Sequence, residues 1–198
     1  MAKEIGYNAA EAKHSTANGD PYTRPAFSFG NRLRRIAFQG CWSLLCRFTP
    51  RPLHGWRILI LRCFGAKIVS PGYIYPNCRI WAPWNLVCAD HVTVGDGAEI
   101  YNPVTMHLDS HVILSQQAYL CGATHDYNDP AFPLIAYPMH LGAYAWVCAR
   151  ASVGPGVNLG EGAVLGLGSV ATKDLEPWSV YAGVPAVKVK ERKRPAGI

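Results

Sequence analysis

The chain reads as an all-β fold, a parallel β-helix of about five coils, and three observations predict it. Apolar residues recur every six positions from Ile68 to Ala171. Each slip in that period falls after the third strand of a coil. Charged residues make up only 16% of the chain, while glycine and proline number 19 and 15, a composition suited to short strands joined by many corners.

Counting by six gives Ile68, Ile74 and Ile80, then Cys88, Val94 and Ile100, then Leu108, Leu114 and Leu120. Two more triplets follow: Leu141, Val147 and Val153, then Leu159, Leu165 and Ala171. The residue two places earlier is usually small or apolar, as in Ala66, Cys78, Val92, Ala98, Val112 and Ala118. Two inward residues flanking one outward residue is strand alternation on a very short strand. Three such strands per coil close a triangle, and each inward residue stacks on its counterpart about 4.8 Å away. An amphipathic helix needs a period of 3.6, which a period of six does not supply. Glycine often follows the inward residue, as at Gly95, Gly154, Gly160 and Gly166, where it is expected to relieve the bend.

The steps from Ile80 to Cys88 and from Ile100 to Leu108 are eight residues, and that from Leu120 to Leu141 is twenty-one. Pro83-Trp84-Asn85, Asn102-Pro103-Val104 and a long loop over 122–138 are thereby stacked on one edge. Insertions gathered on one edge of a repeat fold mark a binding face. Trp84 and Asn85 are therefore read as substrate-binding residues on that face.

Residues 1–25 are expected to be disordered. Residues 26–65 form a helical cap, with helices over Asn31–Phe48 and Pro52–Phe64. The first of these places Leu33, Ile36, Ala37, Gly40, Cys41, Leu44, Leu45 and Phe48 at helical spacing. The cap covers the open end of the coil, where strand edges are unpaired. The coil itself occupies 66–180, and 181–198 is an extension that folds back along it.

Seven cysteines, an odd number with no C-x-x-C pair, fit free and mostly buried thiols better than a disulfide or zinc framework. No apolar run approaches the length of a membrane span, and the N-terminus lacks the apolar centre of a secretory signal, so a cytoplasmic location is expected. The net charge of +6 is uneven: residues 21–89 contain no Asp or Glu and ten bases, whereas 90–187 hold nine acids and two bases. An acidic body is not the layout of a nucleic-acid binder. The basic segment is interleaved with Trp42, Leu44, Phe48, Trp56 and Leu59, so it is either a cap with solvated arginines or a contact with an anionic membrane.

From Ala66 to Lys190 the chain resembles the left-handed β-helix, hexapeptide-repeat acetyltransferases. The run His125-Asp126-Tyr127-Asn128-Asp129-Pro130-Ala131-Phe132-Pro133-Leu134-Ile135 is similar to the colanic-acid-type branch, which acetylates exopolysaccharide sugars. Pro52-Leu53-His54-Gly55-Trp56-Arg57, Thr172-Lys173-Asp174 and Ala182-Gly183-Val184-Pro185-Ala186 agree with it. The resemblance implies a homotrimer with sites between neighbouring coils, acetyl-CoA as co-substrate, no metal, and a sugar or glycan acceptor. It implies His125 as general base and Asn102 as an acceptor-binding residue, although Asn102 also suits a simple turn. Trp146, Ala149, Leu167, Thr172 and Lys173 match positions lining the cofactor channel, and Lys190 matches a position reaching a cofactor phosphate. Asp126 either orients the His125 ring or caps its turn. Asp109 stands where the repeat usually has Gly, Ala143-Tyr144 replaces a polar turn, Leu167 is bulkier than usual, and Val187 replaces a common arginine.

Transfer of an acyl group to a hydroxyl needs a base, because a sugar hydroxyl is not ionised near neutral pH, and imidazole can take its proton. Two other classes are compatible with the coil. A γ-type carbonic anhydrase needs three histidines meeting across subunits, and His91, His107 and His111 are not expected to stack on one corner. His107 and His111 are expected to point into solvent. A catalytically inactive β-helix scaffold would have no use for the loop histidine or for Ala182–Ala186.

Overall fold

The structure, a computed structural model, describes Tyr22 and residues 25–195. The disorder expected for 1–25 lies outside the described residues, apart from Tyr22 and Pro25. Three sheets of parallel strands form the faces of a left-handed β-helix. The first face stacks Lys67–Ile68, Leu86–Cys88, Met106–Leu108 and Met139–Leu141. The second stacks Tyr73–Ile74, Thr93–Val94, Ile113–Leu114, Trp146–Val147, Val164–Leu165 and Ser179–Gly183. The third stacks Arg79–Ile80, Glu99–Tyr101, Tyr119–Cys121, Ser152–Val153 and Val170–Ala171.

Register follows the period of six through every slip. Ile74, Val94, Leu114, Val147 and Leu165 are successive partners on the second face. Leu108 pairs with Leu141 across the twenty-one-residue step. The fifteen inward residues are at most 6% exposed. Each such side chain contributes roughly 1.5–3 kcal/mol on burial. A further, incomplete coil follows the five expected: Leu159 bridges to Leu175, and Leu165 pairs with Tyr181. The period hides it because the step from Ala171 to Leu175 is only four.

The corners correct one expectation. Gly95 and Gly160, each just after an inward residue, are not at positive φ. They are small because the next coil's backbone lies against them: a Cβ on Gly160 would come 2.5 Å from the Pro177 nitrogen. The left-handed conformation falls three residues before the inward residue instead, at His91, Gly97, His111, Gln117, Tyr144, Arg150, Gly162 and Gly168.

Two helices close the first coil, α1 (Phe29–Leu45) and α2 (His54–Cys63). Ser28 caps α1 by accepting from the Asn31 N–H at 3.2 Å. The buried stripe of α1 is Phe38 and Trp42, continued by Cys46, whereas Leu33, Ile36, Leu44 and Phe48 face outward. The helices supply donors to carbonyls at the open edge of the coil. Trp42 Nε1 donates to Pro76 O at 3.2 Å, Arg57 Nε to Ile74 O at 2.6 Å, and Arg62 Nε to Ile68 O at 2.9 Å. Arg57 has no accessible surface and also donates to Thr49 Oγ1, Pro50 O and Arg51 O. The Pro52–Arg57 motif is thus the pin that fastens the cap.

At the other end, Ala186–Glu191 turns back antiparallel on Ser179–Gly183 rather than running along the coil. Only the residues after it reach back: Arg192 donates to Tyr144 O and Gly162 O, both at 2.9 Å. All seven cysteines are free, with Cys46, Cys78 and Cys88 buried and Cys63 exposed. Burial pushes the Cys78 and Cys88 thiols up to about 12, which leaves them inert.

Gly162 and Gly168 provide a matched test of the corner. Both have φ near +65°, but a Cβ on Gly162 would lie 2.5 Å from the Trp178 ring, and one on Gly168 meets nothing within 4 Å. Gly168→Ala should cost about 1–2 kcal/mol of stability, the left-handed penalty alone. Gly162→Ala should cost about 1–3 kcal/mol more through overpacking. Denaturant unfolding of the two variants measures the difference, and equal losses would refute the Trp178 contact.

Candidate active site

The third corner, between the third face and the first, carries every insertion. Its long loop is an ordered hairpin: Ala123–His125 pairs antiparallel with Leu134–Ala136. The turn is held by its own side chains, because Asp126 Oδ1 accepts from Asn128 N at 3.0 Å and Asp129 Oδ1 from Ala131 N at 2.8 Å. Asp126 thus caps the turn through one of its oxygens.

His125 is half-buried, and its Nδ1 lies 2.9 Å from the Phe132 carbonyl. A carbonyl can only accept, so this bond puts the neutral ring's proton on Nδ1 and leaves a lone pair on Nε2. The Phe132 ring stacks on the imidazole at 4.3 Å and 9°, and Tyr22 stacks on Phe132 at 4.7 Å. Phe132 holds φ at 44°, an uncommon conformation that turns both its carbonyl and its ring toward His125. Neither Phe132 nor Tyr22 was singled out by the sequence, which shows an aromatic seven residues after the histidine but not that the hairpin brings the two together.

Asn102, expected to bind the acceptor, lies on the expected edge but is turned inward. Tyr101 pairs with Cys121, so Asn102 does lie one rung below Gly122 at the root of the loop. Its side chain, however, is 0% exposed and turned along the edge toward Ala82. Nδ2 donates to Ala82 O at 2.8 Å, and Oδ1 accepts from Ala82 N at 2.9 Å. It replaces a rung of β-pairing where the corner has widened. Asn85 Nδ2 donates to Asn102 O at 3.1 Å and Pro103 O at 2.6 Å, tying successive corners together. Trp84 lies under the Arg34 guanidinium, 4.0 Å from its ring centre.

The residues expected to line the cofactor channel divide between edges. Ala149 and Leu167 are on the second corner, one coil apart, with the Gly168 N–H donating to Ala149 O at 3.1 Å. The N–H groups of Ala149 and Leu167 have no partner among the described residues, and Leu167 is 74% exposed. Trp146 lies on the second face beside this corner, its Nε1 donating to Ser115 Oγ at 2.8 Å. Lys190 is exposed on the terminal strand of the same sheet. Thr172 and Lys173 are exposed on the third corner, two coils beyond the His125 loop. Within one chain, then, the root of the His125 loop and the Ala149–Leu167 corner lie at opposite ends of the third face, roughly 15 Å apart at about 3.3 Å per residue.

The first corner gathers two of the three histidines and not all three, as expected, and differs only in packing His111. His91 and His111 do stack there, at 4.6 Å and 9°, and Tyr144 continues the column at 4.7 Å. His111 is consequently packed rather than solvated, while His107 is exposed on the first face. Face-to-face stacking points ring nitrogens sideways rather than toward a shared centre. Among the described residues no group of three or more His, Cys, Asp or Glu is arranged to hold a metal ion.

Asn102→Ala would leave the buried Ala82 N–H without a partner and its C=O with the Asn85 N–H alone, and should cost about 1–3 kcal/mol. Denaturant unfolding measures it; an unchanged midpoint would show that the side chain is free for another role.

No protein-family model matches the chain. A protein of Escherichia coli (strain K12), WcaF, named as a colanic acid biosynthesis acetyltransferase, is 34% identical over 166 residues, covering 84% of this chain and 91% of its own. The solved structure of a maltose O-acetyltransferase from Clostridium difficile 630 superposes with a TM-score of 0.75 at 20% identity, over 84% of this chain and 90% of that one. A hexapeptide-repeat acetyltransferase from Vibrio cholerae, solved with acetyl coenzyme A, does so with a TM-score of 0.71 at 19% identity, over 86% and 93%. With a coil in register through every slip and this degree of similarity to WcaF, the chain belongs to the hexapeptide-repeat acetyltransferases, in their colanic-acid-type branch.

Proposed function

We propose that the protein is a cytoplasmic homotrimer that transfers an acetyl group from acetyl-CoA to a sugar hydroxyl of an exopolysaccharide or lipid-linked glycan precursor at the inner face of a membrane. The observation that carries this reading is the His125 tautomer, fixed by the Phe132 carbonyl at 2.9 Å. In the reaction, the acceptor oxygen bonds to the thioester carbonyl carbon while its proton passes to His125 Nε2. The carbon–sulfur bond then breaks, and the imidazolium returns a proton to the departing thiolate. A positioned base of this kind contributes roughly 10²–10⁴-fold. The unpaired N–H groups of Ala149 and Leu167 suit the amide carbonyls of a pantetheine arm or the developing oxyanion.

The separation of His125 from that corner supports the trimer. A second copy, with its second corner set against the first copy's third corner, brings base and donor together. Such a contact joins unlike surfaces, and repeated about a threefold axis it closes into a ring. It would also cover Ile113, Trp146 and Leu167, which one chain leaves exposed. The acceptor class is supported by the similarity to WcaF.

His125→Ala should lower turnover at least about 10²-fold while acetyl-CoA affinity barely changes. Phe132→Leu keeps the carbonyl and removes the ring, so its loss should be smaller. Acetyl-CoA consumption with a panel of glycan acceptors, beside acetyl-CoA titration calorimetry, separates the two effects. Wild-type turnover by His125→Ala would place the base elsewhere.

A further inference from the structure

Helix α1 is apolar on two opposite sides. Phe38 and Trp42 pack inward, while Phe29, Leu33, Ile36 and Leu44 lie 80%, 57%, 66% and 81% exposed. The spacings of the outer set are four, three and eight residues, so at 100° per residue it forms one stripe along the side opposite Phe38. The stripe continues onto α2. Trp56 Nε1 donates to Leu45 O at 2.8 Å, which joins the helix ends, and Trp56, Leu59 and Phe48 are exposed beside it. A helix with one face against a coil has no folding reason to carry a second apolar face.

The charge around the stripe identifies what covers it. No Asp or Glu occurs between residues 21 and 89. Arg34 and Arg35 are spent on Trp84 and Trp81, Arg51 on Asp96, and Arg57 on buried carbonyls. The side chains of Arg32 and Arg47, in contrast, make no ion pair or hydrogen bond among the described residues. Two copies meeting through this surface would bring arginines together with no carboxylate of the segment between them. Residues 1–21 offer little to lay on the stripe, since Met1, Ile5 and Tyr7 are their only large apolar side chains. An anionic bilayer supplies both missing partners, hydrocarbon for the stripe and headgroup charge for the arginines.

We infer that the outer faces of α1 and α2 dock the protein on an anionic membrane surface as an interfacial, non-spanning contact. No helix among the described residues is long and apolar enough to cross a membrane. The inference deepens the proposed membrane location without depending on acetyl transfer, so loss of one leaves the other standing. Its consequence for function is that a lipid-linked acceptor meets the enzyme in two dimensions, while the donor arrives from solution.

The test is co-flotation of the full chain with phosphatidylglycerol/phosphatidylcholine vesicles at low salt. Binding is expected, and it should be far weaker on pure phosphatidylcholine. Arg32→Gln and Arg47→Gln should each lower the vesicle partition coefficient about fivefold. Leu33→Gln/Ile36→Gln/Leu44→Gln should lower it at least about tenfold, with melting temperature and acetyl-CoA binding unchanged because none of the three packs inward. The single Ile36→Gln variant, with a smaller expected loss, serves if the triple variant misfolds. Three results would overturn the inference: no flotation of wild type, flotation indifferent to the apolar substitutions, or a fall in light-scattering mass in the triple variant without any vesicle binding, which would assign the stripe to a second copy.

Discussion

Everything in this molecule answers to the register between one coil and the next. A parallel ladder three faces wide tolerates no extra residue within a face, because a slip of one would turn the inward row out into water. Extra chain must therefore leave at a corner. One corner takes the two short insertions and the hairpin, while the columns from Ile74 to Leu165 and from Ile80 to Ala171 pass on undisturbed. The same requirement makes the ends of the coil a liability. At the first, the exposed carbonyls of Ile68, Ile74 and Pro76 are met by Arg62, Arg57 and Trp42. At the last, an antiparallel strand covers the edge.

The widened corner explains both what holds the site and what is absent from it. Where the rung opens beside Ala82, the Asn102 amide closes it by acting as a surrogate peptide, and that use consumes the side chain. One rung higher the chain leaves altogether and builds its own two-stranded support. There His125 is oriented by a carbonyl and a ring from one residue, Phe132, just before the returning strand. A base held by main chain needs no carboxylate behind it, which leaves Asp126 free to cap the turn. The N–H groups of Ala149 and Leu167 lie at the other end of the third face from this loop, which is why the proposed chemistry calls on a second chain.

Much of the fold was legible because inward stacking writes itself into the sequence at fixed spacing. The slips could be read too, since Leu108 and Leu141 resume the period after them. Less legible was anything set by the direction of a side chain at a corner. Asn102 sits on the expected edge, yet no spacing reveals that its amide turns along the ladder. The left-handed corner position was obscured because His91, His111 and Tyr144 occupy it as readily as Gly162, the column of stacked rings offsetting a strain that glycine would avoid. The outward stripe of α1 was visible as apolar helical spacing, but its partner could not be told from Phe38 and Trp42 until the coil was seen to use only those two.

The central claim is that base and donor site come from different chains. Coexpression of His125→Ala chains with Ala149→Phe chains, the latter carrying a side chain that fills the donor corner, examines it directly. Each variant alone should be inactive as a homotrimer. Around a ring, every trimer that holds both kinds of chain pairs an intact loop with an intact corner at one of its three sites, so purified mixed trimers should recover about a third of wild-type turnover. Mixed trimers as inactive as their parents would contradict the claim and put both halves of the site on one chain.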